Sequence, residues 1–249
     1  MGLLNLFGKK SKVSNQPADF SSVAVDMHSH LIPGLDDGVK SVEESLHLIR
    51  KFKELGYRKL ITTPHILVDF YKNKPENIHN GLNIIKEAVY KEGIDIEIDA
   101  AAEYMLDDGF QDKLNAKQLL PINNKYILIE LPVFNETPQL LNVIFDLQID
   151  GYEVILAHAE RYIYWFKDLN KFQLLKDRNV YFQLNAVSLA GFYPNPVKNL
   201  AEKLIDLNMI DFLGSDMHNQ IYMDSFEASI TSKSLSLLLS SGRLLNDKL

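Results

Sequence analysis

The sequence contains no cysteine. That absence removes disulfides, thiolate metal sites and every cysteine nucleophile, so a thiol-based phosphatase is excluded. It also suits a reducing compartment, and the expected location is the cytoplasm. Long apolar runs are missing too: none approaches the roughly 20 residues that cross a bilayer. Positive charge is scarce. Lys and Arg number 26 against 33 Asp and Glu, for a net charge of −7, which argues against a general nucleic-acid binder. No repeat or low-complexity segment stands out. With 249 residues, 46% of them hydrophobic, the chain can build a sizeable core, and α/β barrels of this length are common as single domains.

The first twenty residues read differently from the rest. MGLLNLFGKKSK has an apolar part of about five residues, shorter than the core of a secretory signal. Leu6 occupies the position where a myristoylation motif needs Ser or Thr. Residues 1–20 are expected to form a flexible leader, ahead of a single domain over 21–249. The competing reading is a short amphipathic segment, with Leu3, Leu4, Leu6 and Phe7 backed by Lys9, Lys10 and Lys12, touching a partner or a membrane surface.

From residue 22 onward, β-rich runs alternate with stretches of helical period. Strands are expected at 22–29, 59–65, 95–103, 126–131, 153–159, 180–186 and 211–216. Helices are expected at 41–55, 76–92, 109–118, 138–149, 167–177, 194–207 and near 224–241. The first helix opens on Ser41 with Glu44 three positions on, a capping-box pattern, and stops at Gly56. Seven strand–helix units predict an α/β fold with a parallel sheet, closed or nearly closed into a distorted seven-stranded (β/α) barrel. An open doubly wound sheet is the structural alternative.

The histidines carry the functional signal. His28 and His30 are two apart on a predicted strand, so they project to one side. Five of the seven histidines fall at the C-terminal end of a predicted strand: His28, His30, His65, His158 and His218. Glu103, Glu130 and Asp216 do the same. The C-terminal rim of a parallel barrel is where its functional groups converge. Unpaired carboxylates are rarely buried for packing. A polynuclear metal site is therefore expected, with imidazole and carboxylate ligands that suit Mn²⁺, Fe²⁺ or Zn²⁺. Such a site polarises a phosphoryl or acyl oxygen and acidifies a bound water, so hydrolysis is the expected chemistry. His47 and His79 lie within helical segments and read as surface or packing residues. Of Asp36 and Asp37, after a Gly-containing turn, one can be a ligand and the other a turn or cap.

Three motifs, DMHSHLIPGLDDG with the following VEESL, AHAERY at 157–162 and SDMHN at 215–219, resemble those of the polymerase and histidinol phosphatase (PHP) family. Within it they resemble the CpsB/CapC-type bacterial tyrosine phosphatases of capsule and exopolysaccharide operons. The resemblance runs from about residue 23 to 219. It implies a distorted seven-stranded barrel of PHP type, TIM-like, holding three divalent ions, Mn²⁺ first, with Fe²⁺ or Zn²⁺ as alternatives. By position, His28, His30, Glu103 and Asp216 would hold the first ion. Glu103 would bridge to a second held by Glu130 and His158. Asp37, rather than Asp36, would join His65 and His218 on the third. Arg161 would face the phosphate, because its planar fork pairs with two phosphate oxygens. Asp216 and His218 would join it as catalytic residues. Relatives carry a basic run directly after the histidine of the third ion, whereas here ILVDFYKNKPE follows His65. Lys72 and Lys74 are expected to compensate, and Phe70 or Tyr71 to stack on an aromatic substrate ring.

The implied reaction is hydrolysis of phosphotyrosine by metal-activated hydroxide, with no phosphoenzyme. The implied partner is a phosphotyrosine protein, the tyrosine-rich tail of a polysaccharide-assembly kinase, at the cytoplasmic face of the membrane. The rival activities are a small-molecule phosphomonoesterase such as histidinol phosphatase, and a nuclease or proofreading module. Net charge weighs against the latter. A non-catalytic barrel is the third rival, and it would be expected to have lost ligands.

Overall fold

The computed structural model describes residues 19–249. The leader residues Leu3, Leu4, Leu6, Phe7, Lys9, Lys10 and Lys12 lie outside them. Phe20, the last residue of the expected leader, belongs to the core. It is buried and stacks on Phe226 with ring centroids 4.5 Å apart.

Each expected strand region contains strand, but the ladders are short. They are β1 Val25–Asp26, β2 Lys59–Thr62, β3 His65–Ile66, β4 Glu97–Ala100, β5 Glu103–Met105, β6 Tyr126–Glu130, β7 Glu153–Leu156, β8 Tyr181–Asn185 and β9 Phe212–Gly214. All pairings are parallel. They form a three-stranded sheet, β1-β2-β4, and a six-stranded one, β3-β5-β6-β7-β8-β9. One continuous seven-stranded ladder is thus not what forms: two of the expected strands are each split. The breaks have a cause in the backbone. Pro64 has no N–H to give a ladder. The Ala102 N–H goes to Leu120 O at 3.2 Å instead of to a neighbouring strand.

Helices α1 Val42–Glu54, α2 Pro75–Lys91, α3 Phe110–Asn115, α4 Leu140–Ile149, α5 Asn170–Lys176, α6 Ala186–Leu189 and α7 Asn195–Asp206 lie between strands in sequence, and α8 Gln220–Ser229 and α9 Lys233–Ser240 follow β9. Ser41 caps α1 as its pattern predicts, accepting from Glu44 N at 3.2 Å, while Glu44 Oε2 accepts from Lys40 N at 2.7 Å. The expected last helix is two helices, because the Ser232 hydroxyl starts a new one by accepting from Leu235 N at 3.3 Å. The short α6 has no counterpart in the sequence reading. Among the described residues no helix is long and apolar enough to cross a membrane.

Side chains alternate between two apolar clusters. In β6, Ile127 and Ile129 join the large cluster against the helices, while Tyr126 and Leu128 join an inner one with Val25, Met27, Ile61 and Phe212. Glu130 continues the inner face at the strand's C-terminal end, as period two requires. The C-terminal segment pins the first strand to the last. Asn246 Nδ2 donates to Val25 O at 2.9 Å and to Leu213 O at 2.7 Å, and its Oδ1 accepts from Leu213 N at 3.0 Å.

Candidate metal centre

The C-terminal ends of the strands bring the expected ligands together. His65 and Glu103 begin β3 and β5 in register with each other. His28 and His30 follow β1, and a bridge at Ser29 to Met217 sets them against the segment that carries Asp216 and His218. His158 and Asp216 both adopt left-handed backbone, with φ of 31° and 53°. This costs a non-glycine residue about 1–3 kcal/mol and is typical of functional sites. Gln183 Oε1 holds His158 by accepting its N–H at 2.8 Å. Asp216 N donates to His28 O at 2.8 Å.

The ligand atoms converge. His28 Nε2 lies 3.1 Å from Glu103 Oε2 and 3.4 Å from Asp216 Oδ1. His30 Nε2 lies 3.3 Å from Asp216 Oδ1 and 3.5 Å from Glu103 Oε2. His158 Nε2 lies 3.1 Å from Glu103 Oε1 and 3.4 Å from Glu130 Oε1. Asp37 Oδ1 lies 3.5 Å from His218 Nε2 and 3.7 Å from His65 Nε2. Donor atoms bound to one ion at about 2.0–2.2 Å sit roughly 3 Å apart, so these spacings fit shared cations. Among the described residues, three groups are compact enough to hold an ion, His30–His65–His218, His28–His30–Glu103 and His65–Glu103–Glu130. His65 differs from its expected place on one ion only. Its Nδ1 faces Glu103 at 3.0 Å and Glu130 at 3.7 Å while its Nε2 faces Asp37, so it stands between two candidate positions.

The far side of three of the five rings is fixed as metal ligands require. His28 Nδ1 donates to Gln183 Oε1 at 3.0 Å, His30 Nδ1 to Asp36 Oδ2 at 2.7 Å, and His218 Nδ1 to Asp216 O at 2.8 Å. In the neutral ring each of these leaves its Nε2 lone pair facing the centre. His65 Nδ1 and His158 Nδ1 are buried with no hydrogen-bond partner. The two aspartates divide their work. Asp36 is buried and also accepts from Gly38 N and His65 N, whereas Asp37 is 56% exposed at the side chain. Gly38 has no alternative, because a Cβ there would stand 2.3 Å from His30 O.

Electrostatics match the geometry. Burial opposes a charge on His28, but Glu103 and Asp216 outweigh it and push its pKa up to about 9. His30 is raised well above its ordinary value against burial, by Asp36 and Asp216. Burial, with Arg161 beside it, pushes His158 down to about 4. Glu130 is raised by burial and by the neighbouring Glu103 carboxylate, while Glu103, despite its own burial, is held low by His28 and His65. A buried cluster so dense in carboxylates calls for cations. The residues present fit divalent ions.

Arg161 stands at the mouth, Nη1 3.8 Å from Glu130 Oε1 and 3.9 Å from Asp216 Oδ2. Tyr71 stacks on His65 with centroids 5.8 Å apart. Phe70 is 78% exposed. The structure does not bring Lys72 and Lys74 to the ligands. They line a separate cavity of about 270 Å³ with Ile66 and Lys113, and none of the candidate ligands lines it. His47 is a surface residue that donates to Gln220 Oε1 at 2.8 Å, and His79 is exposed on α2.

Several supporting residues escaped the sequence reading. Asn185 Nδ2 donates to Asp216 Oδ2 at 2.7 Å. Asp26, pushed up to about 7 by burial, accepts from Ser215 N at 2.9 Å and thereby anchors the SDMHN loop. The Glu160 of AHAERY accepts from Asn185 N at 3.0 Å and Ser188 Oγ at 2.6 Å. Its Tyr162 Oη accepts from Leu131 N at 3.0 Å, next to Glu130. Gln183 and Asn185 did leave a trace: two amides spaced i, i+2 at the end of an apolar strand.

A parallel α/β fold whose strand ends gather imidazoles, carboxylates and an arginine defines a metal-site protein of the hydrolase class. The chain belongs to the CpsB/CapC family of capsular polysaccharide synthesis, whose model matches residues 24–224. It is 32% identical over 197 residues to the tyrosine-protein phosphatase YwqE of Bacillus subtilis, covering 78% of this chain and 77% of that one. To CpsB of Streptococcus pneumoniae, also a tyrosine-protein phosphatase, it is 27% identical over 201 residues, covering 78% and 83%. A crystal structure from work on YwqE and CpsB, described as metal-dependent tyrosine phosphatases, superposes with a TM-score of 0.77 at 27% identity, covering 90% of each chain.

Proposed function

We propose that the chain is a metal-dependent protein-tyrosine phosphatase. The observation that carries this reading is the convergence of His28, His30, Glu103, Glu130, His158 and Asp216 within 3.1–3.5 Å contacts beside Arg161, in a chain of the CpsB/CapC family. Three divalent ions, Mn²⁺ first, would be held by His28, His30, Glu103 and Asp216, by Glu103, Glu130 and His158, and by Asp37, His65 and His218. Bound there, they supply Lewis-acid polarisation of a phosphoryl oxygen and a water acidic enough to attack near neutral pH.

The chain's own residues do the rest. Arg161 offers a planar fork to two phosphoryl oxygens. Asp216 and His218 would act on the phosphate through the ions they hold, and Tyr71, stacked on His65, gives an aromatic wall to the phenyl ring of the substrate. The two sheets act as one distorted seven-stranded barrel. Supporting this, Ala101 N donates to Thr62 O at 2.9 Å and Glu103 N to Pro64 O at 3.2 Å across the ladder breaks, and the Ser29–Met217 bridge joins first strand to last. The physiological substrate is the phosphorylated tyrosine-rich tail of a polysaccharide-assembly kinase, met in the cytoplasm beside the membrane. The capsular polysaccharide role of the family supports that partner.

The deciding experiment is phosphate release from a phosphotyrosine peptide beside histidinol phosphate, with Mn²⁺ and with chelator. Chelator-sensitive preference for the peptide is the expected result. Preference for histidinol phosphate would move the activity to small-molecule metabolism, and release from neither would sink the phosphatase reading.

A further inference from the structure

Tyr193 presents an anomaly beside the metal centre. Its Oη is buried and makes no well-formed hydrogen bond among the described residues, although the Tyr222 side chain lies close to it. A buried hydroxyl is ordinarily satisfied, so an orphan calls for an explanation. Of the six other such atoms among the described residues, Thr137 Oγ1, Glu153 Oε2, Glu160 Oε2 and Trp165 Nε1 lie outside the ligand set, while His65 Nδ1 and His158 Nδ1 belong to candidate ligands. Tyr193 does not.

Its surroundings suggest the explanation. The Tyr193 ring lies against the guanidinium of Arg161, whose Cζ is 5.1 Å from the ring centroid. That same guanidinium reaches toward Glu130 and Asp216 at 3.8 and 3.9 Å. Phe192 braces the ring edge-on at 5.0 Å and packs on Tyr222 at 4.5 Å, and Tyr222 lies 4.9 Å from His218. Tyr193 is thus held between the Arg161 guanidinium and the Phe192 ring, as a preorganised donor should be. A phenol keeps its proton at neutral pH and donates it in hydrogen bonds. Burial first, then the Asp216 carboxylate, push its phenol above the ordinary range, and the Tyr222 side chain acts in the same direction.

We infer that Tyr193 is a substrate-contacting residue whose hydroxyl donates a hydrogen bond to a phosphoryl oxygen held by Arg161, while its ring aligns the guanidinium. The inference rests on the phosphatase reading. It assigns the ring and the hydroxyl separate roles, and two substitutions separate them. Tyr193→Phe keeps the platform and deletes the donor, whereas Tyr193→Ala deletes both.

The test uses the Mn²⁺-loaded full chain, with metal content and melting temperature measured for each variant. Tyr193→Phe should keep both, yet lose roughly 10- to 100-fold in kcat/KM on a phosphotyrosine peptide. It should also bind inorganic phosphate roughly 10-fold more weakly by calorimetry. Tyr193→Ala should lose more on each measure. A Tyr193→Phe protein equal to wild type in turnover and phosphate binding would overturn the inference. So would a loss that tracks lower metal content, since the hydroxyl would then be structural. The wild-type arm reads the phosphatase assignment separately: no turnover of the peptide there defeats that assignment, and the inference with it.

Discussion

Arg161 is held where two carboxylates of the candidate centre pull on it, 3.8 Å from Glu130 and 3.9 Å from Asp216. Its value to a phosphatase lies in shape as much as charge. Arg161→Lys keeps the charge and loses the fork, so kcat/KM on a phosphotyrosine peptide should fall by about 100-fold with metal content unchanged. Steady-state kinetics with parallel metal analysis would check this, and full activity in the lysine variant would remove Arg161 from the phosphate site. Asn185 works one layer further out, through its 2.7 Å hydrogen bond to Asp216. Asn185→Ala should weaken divalent-ion binding by roughly 10- to 100-fold while leaving the fold intact. A metal titration followed by calorimetry reads that directly, and unchanged affinity would mean that Asp216 needs no such support. Eight of the nine candidate ligands were legible in the sequence, because five histidines and three acids fall where predicted strands end, whereas Asp37 was chosen over Asp36 only through the family resemblance. Gln183, Asn185 and Asp26 were not, since an amide or a lone aspartate becomes meaningful only when its partner, 155 or 31 or 189 residues away, is known.

At the scale of elements, alternation in the strands decides which groups face the centre. Leu128 and Glu130 share one face of β6, and the left-handed residues His158 and Asp216 turn their side chains into the mouth where regular period two ends. Strand positions and most helices follow from this periodicity. Ladder breaks do not, because they depend on where Pro64 and Ala102 find or lack partners. The C-terminal segment is the clearest tertiary surprise. Asn246 makes three hydrogen bonds that tie β1 to β9. Asn246→Ala should cost about 2–4 kcal/mol, because it orphans buried backbone groups at the seam. Chemical denaturation would show a shifted midpoint at unchanged slope. A change below about 0.5 kcal/mol would mean that the seam is closed by other contacts.

At the scale of the molecule, the metal-free and metal-loaded proteins should respond oppositely to pH. In the metal-free chain, Glu103 and Asp216 overcome burial to raise His28 from 6.5 to about 9, and His30 is raised well above its ordinary value. A folded pKa above the unfolded one stabilises the fold fully below pH 6.5, and that contribution is lost as pH rises through about 9. The chelated protein should therefore melt several degrees lower at pH 9 than at pH 6, at about 2–4 °C per kcal/mol for a chain of this size. With Mn²⁺ the ions take the place of those protons, binding should release protons, and the decline should vanish. Thermal melts across this range, with and without chelator, test it. A chelated protein whose stability is flat from pH 6 to 9 would contradict the imidazole–carboxylate pairing.

Composition, periodicity and motif spacing by themselves determined the fold class, the exclusion of thiol chemistry, and the identity of the ligand-type residues. These are properties of local order: a strand's alternation and the residue at its end are written within a few positions of each other. The tertiary structure alone decided that the sheet divides in two, that Asp36 is consumed by His30 and His65, and that Lys72 lies outside the ligand cluster. It also decided that an unpaired phenol waits beside Arg161. Those outcomes depend on contacts between segments far apart in the chain, where backbone hydrogen-bond demands and packing, not local pattern, choose among the available partners.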